Sequence, residues 1–320
     1  MKNKKTFLIT GGAGFIGRNI ANFLSNKNYR VIIYDNLSRG CLKKFNNRKI
    51  EFIKGDIRDK KKLNKSLKSV NAVIHLAYIN GTKYFYEIPD QVLDIAVKGL
   101  VNIFDGCKKF RINELYLASS SEVYQTPINI PTKETEPLKI PDVYNPRFSY
   151  GGGKILTELM GINYGRKFFK KLIIFRPHNV YGPDMGNEHV IPEFITKARN
   201  FKKKIFKMQG SGSETRSFIY IDDFVKAFYL LIKKGKHLSI YNIGTKENIK
   251  IIDLAKKILK LLNRKLKIKK TPLKKGGTKI RLPDISKIIK LGFLQKYNLD
   301  EGLKKTINFF YKIEKQNFNR

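Results

Sequence analysis

The 320-residue sequence is poor in cysteine, acidic side chains and long apolar runs, and it contains no tryptophan. Its two cysteines, Cys41 and Cys107, lie far apart and predict neither a disulfide framework nor a zinc site. Free thiols suit a reducing compartment, so we expect a cytoplasmic protein. The apolar run at residues 7–9 is too short for a signal peptide, and no apolar stretch approaches the roughly 18 residues of a membrane span.

The shortage of acidic residues makes the chain strongly basic, with 65 Lys and Arg against 26 Asp and Glu and a net charge of +39. Such a charge is compatible with binding to nucleic acid or to an anionic membrane surface. The lysines are spread along the whole chain, which favours a compositional bias over a dedicated binding surface. We therefore expect no specific nucleic-acid partner, although the field of these charges should attract polyanionic small molecules at low salt.

The first half of the chain alternates short apolar segments with helical patterns. The apolar segments are rich in Val, Ile and Phe, as strands buried on both faces are. The alternation predicts an α/β fold with a doubly wound parallel sheet of the Rossmann type. The predicted strands lie at 6–10, 31–35, 51–56, 72–77, 114–121 and 171–177, with helices at 16–28, 89–110 and 154–168.

The rhythm of strands and helices loosens after about residue 178. Helical patterns follow at 191–204 and 253–268, the second of them basic and amphipathic. We expect a cofactor-binding domain at 1–178 and a smaller, partly interleaved α/β substrate domain at 179–320. Residues from about 218 to 245 are expected to return and pack on the first domain.

A glycine motif, TGGAGFIG, follows the first predicted strand and opens a helix. Gly11, Gly14 and Gly17 permit a tight turn, a close approach of the backbone to a pyrophosphate, and close packing of the helix. The helix N-terminus then offers N–H donors to phosphate. Asp35 ends the next strand, 18 residues after Gly17, where an acid binds ribose hydroxyls and favours NAD over NADP. The nearby Arg39 leaves NADP as the minority alternative.

Tyr150 and Lys154 stand four residues apart in SYGGGK and share one face of a predicted helix. An ammonium beside a phenol lowers the pKa of the phenol, so this pair predicts a general base. A serine in the segment ASSSEVY at 118–124, after the preceding strand, can hydrogen-bond the same phenol. A phosphate-binding P-loop is excluded because its glycine and hydroxyl positions hold Phe148 and Ile155.

The three glycines at 151–153 lie inside this predicted helix. Each costs roughly 1 kcal/mol relative to alanine in a helix interior. Our hypothesis is that the missing side chains make room for the substrate or for a dimer partner.

Motifs along nearly the whole chain resemble the extended short-chain dehydrogenase/reductases, specifically the nucleotide-sugar epimerase/dehydratase family. Together these motifs are specific for the family and not for one activity within it. They are TGGAGFIG (10–17), DNLSRG (35–40), GDIRD (55–59), HLA (75–77), SSSEVY (119–124), SYGGGK (149–154), RPHNVYGP (176–183), TRSFIYIDD (215–223), YNIG (241–244) and PDISKIIKLGF (283–293).

The resemblance implies roles for individual residues and no metal. Tyr150 is the implied base, Lys154 its partner, and Ser120 the catalytic hydroxyl, with Glu122 as a further catalytic candidate. The implied substrate residues are Ser120, Asn179, His189 and Arg216, whereas His75 is expected to be structural. The implied NAD-binding residues are Gly11, Gly14, Phe15, Ile16, Gly17, Asp35, Asn36, Asp56, Ile57, Leu76, Ala77, Tyr150, Lys154 and Pro177.

Departures from the family pattern bear on the activity. The Asp–Glu pair of the 4,6-dehydratases is replaced by Ser121 and Glu122, which counts against dehydration. Ser–Glu at this place is similar to the glucuronate-nucleotide decarboxylases. Other motifs look like the 3,5-epimerases, but the cysteine of that branch is also replaced by Glu122. The 4-epimerases need only the tyrosine, lysine and serine, although one of their familiar lysines is Asn80 here.

We therefore predict an NAD-dependent nucleotide-sugar 4-epimerase that serves surface polysaccharide synthesis. The decarboxylase and the 3,5-epimerase are the alternatives within the family, and a catalytically idle nucleic-acid-binding relative is the alternative from another class. The resemblance implies a homodimer. The aromatic segment at 78–89 is expected either to line the pocket or to pack at the dimer interface.

Overall fold

The computed structural model describes residues 4–42, 49–200, 204–272 and 276–318. Part of the helix predicted at 191–204 therefore lies outside the described residues. The strands are β1 (Thr6–Thr10), β2 (Arg30–Asp35), β3 (Ile50–Lys54), β4 (Ala72–His75), β5 (Glu114–Ala118), β6 (Lys171–Pro177), β7 (Val180–Tyr181), β8 (Ile205–Gln209), β9 (Thr215–Arg216), β10 (Ile219–Tyr220), β11 (Ser239–Ile243), β12 (Ile249–Lys250), β13 (Lys267–Thr271) and β14 (Ile280–Arg281).

Eleven α-helices and a short 3-10 helix at Ser121–Val123 are found in these ranges of the chain. A π-helical turn at Ile95–Gly99 joins α4 to α5, so the pattern predicted at 89–110 is continuous but not regular. Within the described residues, no helix is long and apolar enough to cross a membrane. The helices are α1 (Phe15–Asn26), α2 (Lys60–Ser66), α3 (Thr82–Glu87), α4 (Pro89–Asp94), α5 (Leu100–Lys109), α6 (Phe148–Phe168), α7 (Val190–Arg199), α8 (Ile221–Lys234), α9 (Ile251–Leu261), α10 (Ser286–Ile289) and α11 (Leu299–Phe318).

Seven parallel strands form the central sheet, in the order β11-β6-β5-β4-β1-β2-β3. The direction of winding reverses between β1 and β4, which places a ligand crevice at the carboxyl ends of these strands. The predicted doubly wound α/β fold is confirmed. Strand β11 extends the sheet of the first half of the chain, whereas the domain boundary at 178 stays a prediction.

Alternate residues of the sheet face two separate apolar clusters. Phe7 and Ile9 join the cluster that includes α1 and α8, and Leu8 joins the cluster that includes α2 and α5. Since side chains alternate along a strand, these clusters lie on opposite faces of the sheet, and helices cover both faces of its central strands, whereas the edge strand β3 stays partly exposed.

The helix predicted at 253–268 is wrong in its last part. Helix α9 ends at Leu261, and Asn263 adopts a left-handed backbone conformation with φ of 51°. Residues 264–269 then alternate between partly buried and exposed, and β13 pairs in parallel with β8. The period of two in this lysine-rich segment is typical of a strand with one solvated face.

A buried ion pair joins α6 to β6. The Arg176 guanidinium donates from Nη2 to Glu158 Oε2 at 2.5 Å and from Nε to Oε1 at 2.8 Å. Arg176 also donates to the hydroxyl of Tyr124 and to the carbonyl of Glu134, while the Ser119 hydroxyl donates to Glu158. Arg176 is 1% exposed, so removal of its partner would leave a buried charge, which typically costs about 3–5 kcal/mol. The pair therefore fixes α6 on the sheet.

The predicted helix through SYGGGK is confirmed, since α6 begins at Phe148. The chain itself fills the space beside two of the three glycines. A methyl group on Gly151 would lie 2.7 Å from Gln125 Nε2, and one on Gly153 would overlap the Tyr78 hydroxyl. For these two positions the hypothesis of room for substrate or partner is corrected, because side chains of the same chain already occupy the space.

Gly152 differs from its neighbours because a methyl group there would meet only Ile140 Cδ1, at 3.4 Å. We expect Gly152→Ala to stabilise the protein by up to about 1 kcal/mol through helix propensity. Gly153→Ala should instead destabilise it by about 1–3 kcal/mol through overpacking. Urea unfolding of both variants checks this, and equal effects at the two positions would contradict the packing described here.

Candidate active site

One cavity of about 570 Å³ opens where the strand order reverses, and all the residues predicted to form the site line it. Residues far apart in sequence are thus brought together, while their individual roles stay predictions. The predicted residues on the lining are Gly11, Gly14, Phe15, Ile16, Gly17, Asp35, Asn36, Asp56, Ile57, Leu76, Ala77, Ser120, Glu122, Tyr150, Lys154, Pro177, Asn179, His189 and Arg216.

The glycine loop forms one end of the cavity. Gly11 has φ of +68°, and a methyl group on it would lie 2.7 Å from the Ala77 backbone. Gly14 precedes α1, whose first turn has no side-chain cap and no acidic residue. The free N–H groups of this turn therefore face an open cradle, which fits the pyrophosphate of a dinucleotide.

Asp35 lies at the end of β2, beside this loop. Its carboxylate accepts the backbone N–H groups of Ala13 at 3.0 Å and Leu37 at 2.8 Å. Burial raises the pKa of Asp35, and the two N–H groups lower it. These bonds fix the carboxylate on the cavity wall and leave lone pairs for ribose hydroxyls, as the sequence predicts for NAD.

Among the described residues, Arg39 forms no hydrogen bond or ion pair with Asp35. Its guanidinium donates to Glu188 at 2.6 Å and to the carbonyl of Asn80, and it lies 5.4 Å from the Tyr84 ring centroid. These contacts join the loops after β2, β4 and β7 beside the cavity. Because Arg39 is engaged in this way, it gives the NADP alternative little support.

Asp56, one of the implied NAD-binding residues, belongs to a polar cluster on the cavity lining. Asp56 accepts from Arg58 at 2.8 Å and from Asn36 at 3.2 Å, and hydrogen bonding to Arg58 holds the pKa of Asp56 below its ordinary value. Ile57 packs so closely on Gly99 that a methyl group there would overlap it.

Tyr150 lines the same cavity and lies between two aromatic rings. Phe85 stacks on it with ring centroids 4.8 Å apart, and Tyr78 meets it edge to face at 5.1 Å. Burial raises the pKa of Tyr150 to about 12, although the hydrogen bond with Ser120 acts to lower it. The aromatic segment at 78–89 therefore contributes to the pocket lining.

The expectation that Lys154 brings the pKa of Tyr150 toward neutral pH is wrong for the chain by itself. The Lys154 ammonium lies 5.8 Å from the Tyr150 ring centroid and donates to the Ala118 carbonyl at 2.8 Å. Burial also lowers the pKa of Lys154, to about 7, against the opposing effect of Glu158. Desolvation thus outweighs the interaction that the spacing predicts.

Arginines surround Glu122 on the cavity lining, and two of them were missed from the sequence. Arg281 lies 2.7 Å and Arg147 3.9 Å from the Glu122 carboxylate. Burial raises the pKa of Glu122, but Arg281 and Arg147 outweigh it and hold the pKa below its ordinary value. The Nε–H groups of Arg147 and Arg281 are buried and have no acceptor among the described residues. Arg147 opens the RFSYGGGK stretch and Arg281 stands two residues before PDIS, so their positions beside known motifs were the available signal.

The remaining candidates differ in their surroundings. Arg216 donates to the carbonyl of Thr278 at 2.8 Å, and burial, with Arg281 nearby, lowers the pKa of its guanidinium. Asn179 has a left-handed backbone with φ of 39°, and its side-chain amide donates to the carbonyl of Ser217 at 2.9 Å. Burial lowers the pKa of His189, with a smaller effect from Arg39.

His75 is a buried structural residue, as expected. Its ring hydrogen-bonds the Thr10 hydroxyl at 2.8 Å, and burial lowers the pKa of His75 to about 3, which keeps it neutral. In the described part of the chain, no group of His, Cys, Asp and Glu residues has an arrangement that could hold a metal ion.

Comparison with known proteins identifies the family of the chain. The family described as NAD dependent epimerase/dehydratase matches residues 7–244. A putative UDP-glucose 4-epimerase of Methanocaldococcus jannaschii is 36% identical over 311 residues, covering 94% of this chain and 97% of that protein. The UDP-glucose 4-epimerase of Thermotoga maritima, solved with UDP-glucose, superposes with a TM-score of 0.88 at 28% identity, covering 97% of this chain and 99% of that one.

A dTDP-D-glucose 4,6-dehydratase of Dictyostelium discoideum is 32% identical over 272 residues, which are 79% of this chain. The chain spans 61% of the length of that relative, and 47% of a longer trifunctional enzyme of Arabidopsis thaliana. The relatives thus include epimerases and dehydratases. The chain belongs to the NAD-dependent epimerase/dehydratase family of nucleotide-sugar enzymes, within the extended short-chain dehydrogenase/reductases, and NAD is the cofactor of this family.

Proposed function

We propose that this protein is an NAD-dependent nucleotide-sugar 4-epimerase. The observation that carries the proposal is the combination of a buried Tyr150, Ser120 and Lys154 with a cavity whose acidic side chains are all engaged. Epimerisation at C4 needs a proton carrier and a hydride acceptor, whereas dehydration also needs an acid to protonate the leaving hydroxyl.

Each carboxylate found on the described cavity lining already accepts hydrogen bonds from a defined donor. Despite burial, Arg281 and Arg147 hold the pKa of Glu122 below its ordinary value, and hydrogen bonding to Arg58 does the same for Asp56, so these two carboxylates are not suited to donate a proton at neutral pH. This supports an isomerase over a lyase that loses water. The donors are Ala13 and Leu37 for Asp35, Arg58 for Asp56, Arg281 for Glu122, Arg18 for Asp184 and Arg39 for Glu188.

The charges around Glu122 favour a substrate whose sugar is neutral. Arg147, Arg216 and Arg281 surround Glu122, so the cluster has an excess of two positive charges. The pyrophosphate group of a nucleotide sugar, esterified at both ends, carries two negative charges, and guanidinium groups bind phosphate oxygens in pairs. A uronic acid would add a third negative charge, with Glu122 already present to repel it. This arrangement supports epimerisation more than decarboxylation.

The roles of the residues follow from their positions. Tyr150 would accept the proton of the sugar hydroxyl and return it, with Ser120 hydrogen-bonded to the same phenol. Lys154 would contribute positive charge behind the phenol, and Asp35 would hold the adenosine ribose. When bound, NAD supplies the hydride acceptor. Because the pKa of Tyr150 is raised by burial, we expect its phenolate to depend on positive charge that accompanies the cofactor and substrate.

The Ser–Glu pair keeps nucleotide-sugar decarboxylation as the second candidate, because loss of carbon dioxide needs no acid for a leaving hydroxyl.

We also propose a cytoplasmic homodimer that serves surface polysaccharide synthesis. Exposed apolar side chains on α4, the π-helical turn and α6 support the dimer, with Leu93 43%, Val97 42% and Leu159 58% exposed.

The test is turnover of a panel of UDP-, GDP-, CDP- and dTDP-sugars by the protein supplied with NAD. We expect an isomer of unchanged mass from at least one neutral sugar. Tyr150→Phe should lower turnover by about 100-fold or more while NAD affinity stays within a few-fold, because only the proton carrier is lost. Tyr144→Phe, at a residue 94% exposed, is the matched control and should be fully active.

Three outcomes would contradict the proposed activity. A product lighter by water or carbon dioxide would indicate a lyase. Full activity of Tyr150→Phe would remove the phenol from the mechanism. Salt-dependent RNA binding without turnover of any sugar nucleotide would favour the nucleic-acid-binding alternative.

Asp35→Ala tests the cofactor assignment. The loss of a carboxylate that binds ribose hydroxyls should weaken NAD about 10- to 100-fold. NADP should be weakened much less, because the repulsion of its 2′-phosphate is removed as well. Calorimetric titration with both cofactors measures the ratio, with the exposed Asp142→Ala as control. Equal losses for NAD and NADP would refute the assignment of Asp35 to the ribose.

A further inference from the structure

Tyr78 contacts both members of the candidate Tyr150–Lys154 pair. Its ring meets Tyr150 edge to face at 5.1 Å, and the Lys154 ammonium lies 3.8 Å from the Tyr78 ring centroid. This is well inside the range of about 6 Å over which a ring face attracts a cation. Tyr78 itself lies in the loop after β4 and lines the cavity.

The glycine run on α6 makes this contact possible. A methyl group on Gly153 would overlap the Tyr78 hydroxyl and lie 2.8 Å from Ala96 Cβ. Gly153 directly precedes Lys154, so any larger side chain would push the ring away from the ammonium. Two unusual features of the sequence, the aromatic loop and the glycine run, are therefore parts of one packing arrangement.

Lys154 is 3% exposed, and its buried ammonium has few other compensating groups. Its hydrogen bond to the Ala118 carbonyl supplies one acceptor. Glu158, one turn further along α6, is bound by Arg176 and by the Ser119 hydroxyl. The other titratable groups near Lys154 are Tyr150 on its own helix and the neutral His75 on β4. The ring face of Tyr78 is thus the nearest diffuse negative charge that this buried cation contacts.

We propose that Tyr78 is a positioning residue whose ring face holds the Lys154 ammonium in its charged form beside Tyr150. The ring, and not the hydroxyl, carries this role. The Tyr78 hydroxyl oxygen is buried and has no hydrogen-bond partner among the described residues, so Tyr78→Phe keeps every contact that the proposal uses.

The test measures the protonation of Lys154 in the full-length protein, without cofactor or substrate. Burial holds the pKa of Lys154 in the folded chain near 7, below the roughly 10.4 of an unfolded lysine. Between these values the unfolded chain binds the extra proton, so the unfolding free energy rises with pH across this window. The Lys154→Met variant lacks this rise. Subtracting its unfolding free energy from that of the protein with Lys154 removes the contributions of the other lysines.

Urea unfolding from pH 5 to 9 is compared for proteins with and without Lys154→Met, in chains carrying Tyr78, Tyr78→Phe or Tyr78→Leu. Tyr78→Leu should make the Lys154 ammonium about tenfold more acidic, which moves the start of the rise about one pH unit lower. Tyr78→Phe should leave it unchanged. Tyr78→Met, which fills the space flexibly without a ring, carries the same expectation as leucine. Tyr144→Leu removes an exposed ring and is the control.

An unchanged start of the rise in both Tyr78→Leu and Tyr78→Met would overturn the proposal, as would a shift in Tyr78→Phe equal to that of leucine. A purely structural role for Tyr78 would lower stability equally at all pH values and leave this start in place. Because no sugar nucleotide is used, the result is independent of the proposed epimerase activity.

Discussion

The position of helix α6 on the sheet depends on the buried ion pair between Arg176 and Glu158. The pair spans the boundary between the helix and β6, and its remaining donors bind Tyr124 and the carbonyl of Glu134. A desolvated guanidinium tolerates little displacement of its carboxylate, because an unpaired buried charge costs several kcal/mol. Since Tyr150 and Lys154 are on the same helix, the pair that holds the helix also sets where the proton carrier stands.

Desolvation governs the chemistry of the site as well as its architecture. It keeps the Tyr150 phenol protonated and makes the Lys154 ammonium easy to deprotonate when the chain is considered alone. The arginines around Glu122 show the opposite condition, an excess of positive charge with buried donors that have no acceptor among the described residues. Both features are explained if the site acquires its working charge balance only with a dinucleotide and an anionic substrate present.

The fold could be predicted because its determinants are local in sequence. The strands show continuous apolar runs, and the glycine loop with Asp35 carries its own geometry. The site was predicted as far as motifs reach, and all the residues they indicate line one cavity. Arg147 and Arg281 were missed because their approach to Glu122 depends on tertiary packing, across 25 residues of chain for Arg147 and 159 for Arg281.

The same limit explains the other differences from expectation. Nothing local distinguishes Gly152 from Gly153, since only the packed loop after β4 places Tyr78 against one and not the other. The end of α9 was predicted too late because apolar residues continue beyond Leu261 with a period that changes from helical to alternating. The direction of the Tyr150 pKa also required burial, which spacing alone does not reveal.

The central claim is that this cavity moves one hydroxyl proton and one hydrogen at the same carbon, and releases nothing. The most direct measurement is mass spectrometry of the product formed in deuterium oxide from the sugar nucleotide that the enzyme accepts. The account predicts an isomer without carbon-bound deuterium, because the hydrogen removed from C4 is returned to it. Deuterium on carbon would indicate enolisation at C3 or C5 and would contradict a transfer confined to C4. A product that has lost water or carbon dioxide would contradict it as well.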